Sequence, residues 1–173
     1  MKCMANRKQA ARYARLETDR MVGAAVRYFA TATALVLAAR FYLDERKIEM
    51  ILRELFRQFD AIHEKNVTLD DFTAVLREEY GCETMIDMQS EPAQTPAALT
   101  VDRNLRALCR WLLDVLSVSL LDKFRWTPPE IKRLQSELKT YVPAILAGGQ
   151  DLPKLLKKLE KDHGITLKVT VED

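Results

Sequence analysis

The sequence repeats itself at a fixed spacing. One constant offset in residue number, called the repeat offset, aligns Thr18–Ser90 with Val101–Asp173 without a gap. The alignment contains 14 identities in 73 positions, where chance gives roughly four or five. The identical positions run along the whole stretch and include Asp19 with Asp102, Phe41 with Phe124 and Gly81 with Gly164. Self-similarity of this kind predicts a duplicated supersecondary unit, so the chain is expected to fold as two copies of one element.

Within each copy, the spacing of apolar residues predicts three helices and then a short strand. The helices are expected at about residues 18–43, 45–63 and 69–80, and at about 101–126, 128–146 and 152–163. After Gly81 and Gly164 the apolar period changes to two, which predicts strands at residues 82–88 and 165–171. Two copies related by a pseudo-twofold axis would pair these strands antiparallel. We therefore expect a mainly α fold with a minor two-stranded β ribbon.

Residues that can bind free backbone amides mark the starts of the later helices. Asp44 and Thr127 precede the second helix of each copy, and Thr68 and Asp151 precede the third. Thr127 is followed by Pro128, Pro129 and Glu130, which is the pattern of a capping box with proline in the first turn. Farther along that helix, Pro143 predicts a kink.

Two segments lie outside the repeat. Residues 1–17 carry five basic residues against one acidic residue, and only Gly23 interrupts the helical pattern from Ala5 to about Leu43. This predicts one long helix whose start is a basic extension. Residues 89–100 contain Pro92 and Pro96 and little apolar content, which is typical of a surface linker.

The composition favours a cytoplasmic protein. Three cysteines in 173 residues, without metal-ligand spacing, indicate reduced thiols. The apolar segment Met21–Ala39 is interrupted by Arg27, and its uncharged part, Tyr28–Ala39, has 12 residues, whereas a membrane-spanning helix needs about 20. We therefore expect buried helices and no membrane insertion.

Signals of catalysis are weak. The two histidines, His63 and His163, have no partners at metal-ligand or triad spacing, and five glycines form no phosphate-binding loop. The sequence therefore predicts no enzymatic activity, no cofactor and no metal site.

Matched charged residues form the first candidate site. Arg27 and Arg110 interrupt apolar helices at equivalent places, and the matched Glu54 and Glu137 are their expected ion-pair partners. The alternative is a groove for an anionic partner, formed by four arginines that converge near the pseudo-twofold axis: Arg20, Arg27, Arg103 and Arg110.

The second candidate is a group of lysines on the last helix, called the lysine stripe: Lys154, Lys157, Lys158 and Lys161. Their spacing of three, four and seven residues places all four on one face. The first copy has Asp71, Ala74, Val75 and Glu78 at these positions. A solvated face is the simplest interpretation. The alternatives are a site for phosphates or for an acidic protein surface, and self-association through the oppositely charged third helices.

The third candidate is the basic extension, with four charged residues: Arg7, Lys8, Arg12 and Arg15. It forms a mildly amphipathic helix suited to a nucleic-acid backbone, a partner groove or, least well because its apolar face is mostly alanine, a membrane surface. A solubilising extension without a binding role is the remaining interpretation.

These features favour a non-enzymatic protein-binding module, either an adaptor or a stoichiometric inhibitor, whose partner is a protein with an acidic or nucleic-acid-binding surface. In its length, basic start and lack of catalytic motifs, the chain is similar in a general way to accessory proteins of bacteriophages and mobile elements, which would include anti-defence inhibitors. The alternative is direct nucleic-acid binding through the basic extension and the lysine stripe.

Overall fold

The computed structural model describes the backbone of residues 2–65, 68–84, 96–147 and 149–167, and the side chains of residues 20–58, 68, 70–84, 103–147 and 149–167. These residues form seven helices and no strand, which confirms the mainly helical fold. The helices are α1 (Lys2–Phe41), α2 (Glu45–Lys65), α3 (Leu69–Glu78), α4 (Pro96–Lys123), α5 (Pro128–Lys139), α6 (Val142–Leu146) and α7 (Leu152–His163).

Helices α1 and α4 form the centre of the fold. They pack against each other, and every other extensive contact between described helices involves one of them. Helices α2, α5 and α6 each lie against both central helices, whereas α7 packs on α1 and α3 packs on α4. Burial of their apolar side chains in one continuous core explains this arrangement, with Leu37 on α1 and Leu120 on α4 completely buried.

One segment of α1, Arg20–Phe41, is long and apolar enough to cross a membrane by length and composition. However, 67% of its most apolar window is buried against the rest of the protein. Two polar side chains inside the central pair satisfy their hydrogen bonds locally: the Thr31 hydroxyl donates to the Arg27 carbonyl, and the Ser119 hydroxyl donates to the Val115 carbonyl, each at 2.9 Å. The segment is therefore a core helix of the described bundle.

Three of the four predicted capping residues make the expected contacts at helix starts. The Asp44 carboxylate accepts a hydrogen bond from the Lys47 amide at 2.9 Å, and capping boxes join Thr68 to Asp71 and Thr127 to Glu130. The remaining predicted cap, Asp151, makes no such hydrogen bond with its side chain.

Several positions matched by the repeat offset share a conformation. The starts of α2 and α5, Glu45 and Pro128, are matched positions, and so are the starts of α3 and α7, Leu69 and Leu152. Gly81 and Gly164 both have positive φ, and Tyr42 and Arg125 also match each other, at φ 55° and 58°.

Two boundaries differ from the prediction. The helix expected at about residues 128–146 is broken into α5 and α6, because the ring of Pro143 clashes with the carbonyl four residues earlier and α5 ends there, at Lys139. Helix α4 begins at Pro96, inside the linker expected at residues 89–100, where proline suits the first helical turn.

The β ribbon remains a prediction. Residues 82–84 and 165–167 are described and have no regular secondary structure, whereas residues 85–88 and 168–171 lie outside the described residues. The two described ends have separate neighbours: the Thr84 hydroxyl donates to Asp114 on α4, and the Thr166 amide donates to Glu45 at the start of α2 at 3.4 Å.

Candidate functional site

The lysine stripe lies on the solvent side of α7. Leu155 and Leu159 point into the core and hold the helix against α1, and all four lysines are exposed. Lys154 Nζ lies 2.8 Å from the Asp151 carboxylate, and this hydrogen bond raises the pKa of Lys154. Within the described part of the chain, Lys157, Lys158 and Lys161 form no ion pair. Among the described residues, three ammonium groups of the stripe are therefore not engaged in an ion pair.

The basic extension is helical. Helix α1 begins at Lys2, so Arg7, Lys8, Arg12 and Arg15 all lie on its backbone. Their side chains lie outside the part of the chain whose side chains are described.

The predicted ion pair between Arg27 and Glu54 is wrong, because Glu54 has other partners. Glu54 accepts hydrogen bonds from Arg57, Gln58 and Lys123, all at 2.7–2.8 Å, and not from Arg27. The hydrogen bonds from Arg57, followed by those from Lys123 and Gln58, lower the pKa of Glu54 to about 2 against the effect of its burial. Packing explains the difference, because α2 lies against α4 and brings Glu54 to the end of that helix.

Glu137 also has a different partner from the one expected. Its carboxylate lies 3.3 Å from Arg40 Nε at the end of α1, and no described contact joins it to Arg110. Arg40 and Lys123 are themselves matched by the repeat offset. The basic character shared by these two positions was the signal that could have identified both pairs. Arg40 and Lys123 differ in residue type and so did not stand out among the identities, whereas Arg27 and Arg110 did. Those two arginines were therefore the expected partners.

The four matched arginines have different surroundings. Arg20 and Arg103 are exposed, whereas Arg27 and Arg110 are half-buried. Arg27 Nε is buried and makes no hydrogen bond among the described residues. No described ion pair includes any of the four, and their convergence on an anionic partner remains a prediction.

A buried carboxylate that sequence reasoning did not single out as a site lies near Arg110. Asp114 on α4 is 1% exposed and accepts hydrogen bonds from the Thr73 hydroxyl, at 2.7 Å, and from the Thr84 hydroxyl. Burial raises the pKa of Asp114, although the Thr73 hydrogen bond and the charge of Arg110 act in the opposite direction. The neighbouring cleft, of about 140 Å³, is lined in part by Arg110 and Thr84. Asp114 joins α3 and the segment after it to the central helix.

A second cleft, of about 220 Å³, lies between α1 and α7. It brings together Arg40, Glu137, Tyr141, Lys158 and His163. Of these residues, only Glu137 and Lys158 belong to the predicted sites. Tyr141 and His163 come from the ends of different helices, so their spacing in sequence carries no signal of the cleft.

The described residues hold no group of three or more histidine, cysteine, aspartate and glutamate side chains placed to bind a metal ion. Cys82 and Cys109 are buried free thiols. Burial raises the pKa of Cys109 to about 12, which keeps its thiol protonated and poorly nucleophilic.

The comparisons with known proteins add no family to this description. No family model, curated protein or solved structure matches the chain. The function of this protein is therefore inferred from the geometry and charge of the surfaces described above.

Proposed function

We propose that this protein is a non-enzymatic binding module that docks on an acidic surface of a partner protein, as an adaptor or a stoichiometric inhibitor. The observation that carries the proposal is the row of exposed lysines on α7, of which Lys157, Lys158 and Lys161 form no ion pair among the described residues. Lys154 and Lys161 are seven residues apart, so the stripe extends over about 10 Å. An opposing carboxylate-rich surface would be attracted and oriented by such a row of charges.

The support of α7 favours a binding role for this face. Leu155 and Leu159 anchor the helix to the core, and Gly164 ends it in the left-handed conformation. The charged groups therefore lie on a helix with a defined position, and less freedom is lost when a partner docks than on a loop.

A partner that is a protein is favoured over a nucleic acid by the carboxylates around the stripe. Asp151, Glu160 and Asp162 are exposed on or beside the same helix. They would repel a phosphate backbone, which carries only negative charge, whereas an acidic protein surface that also carries basic side chains can pair with both signs.

The experiment compares wild type with the charge reversal Lys154→Glu/Lys157→Glu/Lys161→Glu as bait in a native-host extract. A protein that wild type retains in stoichiometric amount and the variant loses would support the proposal. The matched control, Lys132→Glu/Lys139→Glu on α5, reverses two exposed lysines elsewhere and should retain it. Equal retention by all three baits would contradict the proposal.

Direct nucleic-acid binding is the second candidate. It is supported by the continuous helix α1, which extends through the basic extension to Lys2. Phosphate contacts predict an affinity that falls steeply with salt, whereas a mixed protein interface is less sensitive. A gel-shift titration of duplex DNA and of RNA against salt tests this. No retardation at low salt would remove this candidate.

We also propose that the two halves are a duplicated unit joined by the predicted β ribbon. The shared helix starts, the matched left-handed residues and the pairs Glu54–Lys123 and Glu137–Arg40 support the duplication. Cross-strand amide contacts between residues 85–88 and 168–171 in NMR spectra would support the ribbon. Their absence, or an experimental structure in which the halves superpose poorly, would contradict it.

A cytoplasmic location is part of the proposal, because the buried free thiols Cys82 and Cys109 suit a reducing compartment.

A further inference from the structure

The cleft between α1 and α7 is small and has two chemically different sides. Its apolar side comes from α1 and includes Val36 and Ala39. Its volume of about 220 Å³ is below the roughly 300–1,000 Å³ typical of small-molecule sites. The cleft can therefore hold one side chain or a small ion but not a cofactor.

Arg40 holds unused hydrogen-bonding capacity at this cleft. Its Nε donates to Glu137 Oε2 at 3.3 Å, and its two terminal nitrogens have no partner among the described residues. The backbone that carries Arg40 is held in place, because Arg133 donates to the Arg40 carbonyl at 3.3 Å and lies over the ring of Phe41. The free edge of the guanidinium can thus donate two parallel hydrogen bonds to a carboxylate.

The other polar side chains of the cleft can also donate. Lys158 and His163 form no ion pair within the described residues. Burial, followed by the charge of Glu137, raises the pKa of Tyr141. Its hydroxyl therefore stays protonated and can donate a hydrogen bond. Four potential donors therefore surround one small space.

We propose that this cleft binds one carboxylate of the acidic partner, with Arg40 and Lys158 as its charged contacts and Tyr141 as a neutral donor. This inference rests on the proposed function and names the group that the protein recognises. The formal charges of Arg40, Lys158 and Glu137 sum to one positive, before any contribution from His163. A singly charged carboxylate neutralises that sum, whereas a phosphate with nearly two negative charges would leave an excess negative charge beside Glu137.

The experiment titrates the full chain with a capped hexaglutamate peptide, acetylated and amidated at its ends, and follows the backbone amides by NMR at low salt. We expect saturable shifts at Arg40, Tyr141 and His163. Arg40→Gln and Lys158→Gln should each weaken binding by about fivefold or more, because each removes a charged hydrogen-bond donor. Ala39→Leu, which fills the apolar side of the cleft, should weaken it similarly without changing any charge.

The controls are Lys132→Gln and Lys139→Gln, both exposed on α5 and outside the stripe and the cleft; each should change the affinity by less than about twofold. Circular dichroism checks that each variant is folded. If Arg40→Gln unfolds, Lys158→Gln and Ala39→Leu still decide the question. Equal weakening by Lys139→Gln and Lys158→Gln, or no saturation by any carboxylate probe, would overturn the inference.

Two further probes identify the source and the charge of the anion. A hexaglutamine peptide with a free carboxyl terminus tests a terminal carboxylate. Its saturable binding, with the same sensitivity to the cleft variants, would support the cleft and identify that source. Inorganic phosphate binding as tightly as hexaglutamate would contradict selection for a singly charged group.

Failure of this inference and failure of the proposed function give different results. If the triple charge reversal on α7 loses the partner while Arg40→Gln and Lys158→Gln bind hexaglutamate like wild type, the cleft assignment fails alone. If hexaglutamate occupies the cleft but the triple reversal retains the partner, the proposed docking through the stripe fails.

Discussion

Glu54 and Glu137 occupy the same position in two helices: each is the tenth residue, of α2 and of α5, and the repeat offset matches them. Each meets a basic residue in the last turn of the central helix from the other half of the chain, Lys123 or Arg40. Glu54 is 11% exposed and has three donors at 2.7–2.8 Å, whereas Glu137 is 31% exposed and has one donor at 3.3 Å.

The difference comes from the residues that follow each glutamate. Arg57 and Gln58 follow Glu54 and both donate to its carboxylate. At the matching places after Glu137 stand Thr140 and Tyr141, and the Thr140 hydroxyl donates to the carbonyl of Glu137 instead. The Glu54–Lys123 pair thus has further donors from its own helix, which stabilises the fold. The Glu137–Arg40 pair has no further donor among the described residues, and the two terminal nitrogens of Arg40 stay without a partner there.

The largest expected effect is on stability. Glu54→Gln should lower the free energy of unfolding by about 2 kcal/mol near neutral pH, because it removes a charge that three donors stabilise. Glu137→Gln should lower it by less than about 0.5 kcal/mol, as expected for a partly exposed pair with one long contact. Urea denaturation of both variants measures the difference. Similar losses for the two would break the comparison.

The same contrast predicts a dependence on pH. The folded-state pKa of Glu54 is lowered from 4.5 to about 2, so its stabilising effect is complete above about pH 4.5 and is lost as the pH falls towards about 2. The stability difference between wild type and Glu54→Gln should shrink across that interval. Urea titrations at several pH values check this. A difference that stays constant down to about pH 2 would show that the charge of Glu54 is not what stabilises the fold.

The smallest expected effect on stability comes from introducing, after Glu137, an arginine equivalent to Arg57. Thr140→Arg places a guanidinium three residues after Glu137, as Arg57 stands relative to Glu54. We expect a gain of about 0.3 kcal/mol in the free energy of unfolding. Thr140→Ala is the matched control, since it removes the same hydroxyl hydrogen bond without adding a charge. If Thr140→Arg is no more stable than Thr140→Ala in thermal denaturation, the comparison between Glu54 and Glu137 is contradicted.

Local features of the chain could be predicted because they depend on neighbouring residues. The capping box of Thr127 and Glu130 and the left-handed glycines Gly81 and Gly164 followed from residue types at fixed offsets. The break before Pro143 was only partly anticipated: a kink was expected, and two separate helices are observed. Proline determines that the helix is disturbed, but how far the chain bends depends on what the next segment packs against.

The candidate site was less predictable. The row of lysines on α7 could be read from sequence, since helical spacing places them on one face. The cleft could not, because Arg40, Tyr141 and His163 come from distant segments. The partners of Glu54 and Glu137 were wrong for a related reason. Identical arginines at matched positions suggested pairing within each half, whereas both pairs join one half to the other.

The amino-acid sequence by itself determined where α2, α3, α5 and α7 start and the basic face of α7, because hydrogen bonding within a helix and the direction of its side chains are set over a few residues. Only the tertiary structure decided which charges meet. Helices α2 and α5 each lie against both central helices, α1 and α4, so either central helix could have supplied the basic partner of each glutamate. Which one does so follows from burial of apolar surface, which is not directional and leaves no pattern in the sequence that names the partner of a charged group.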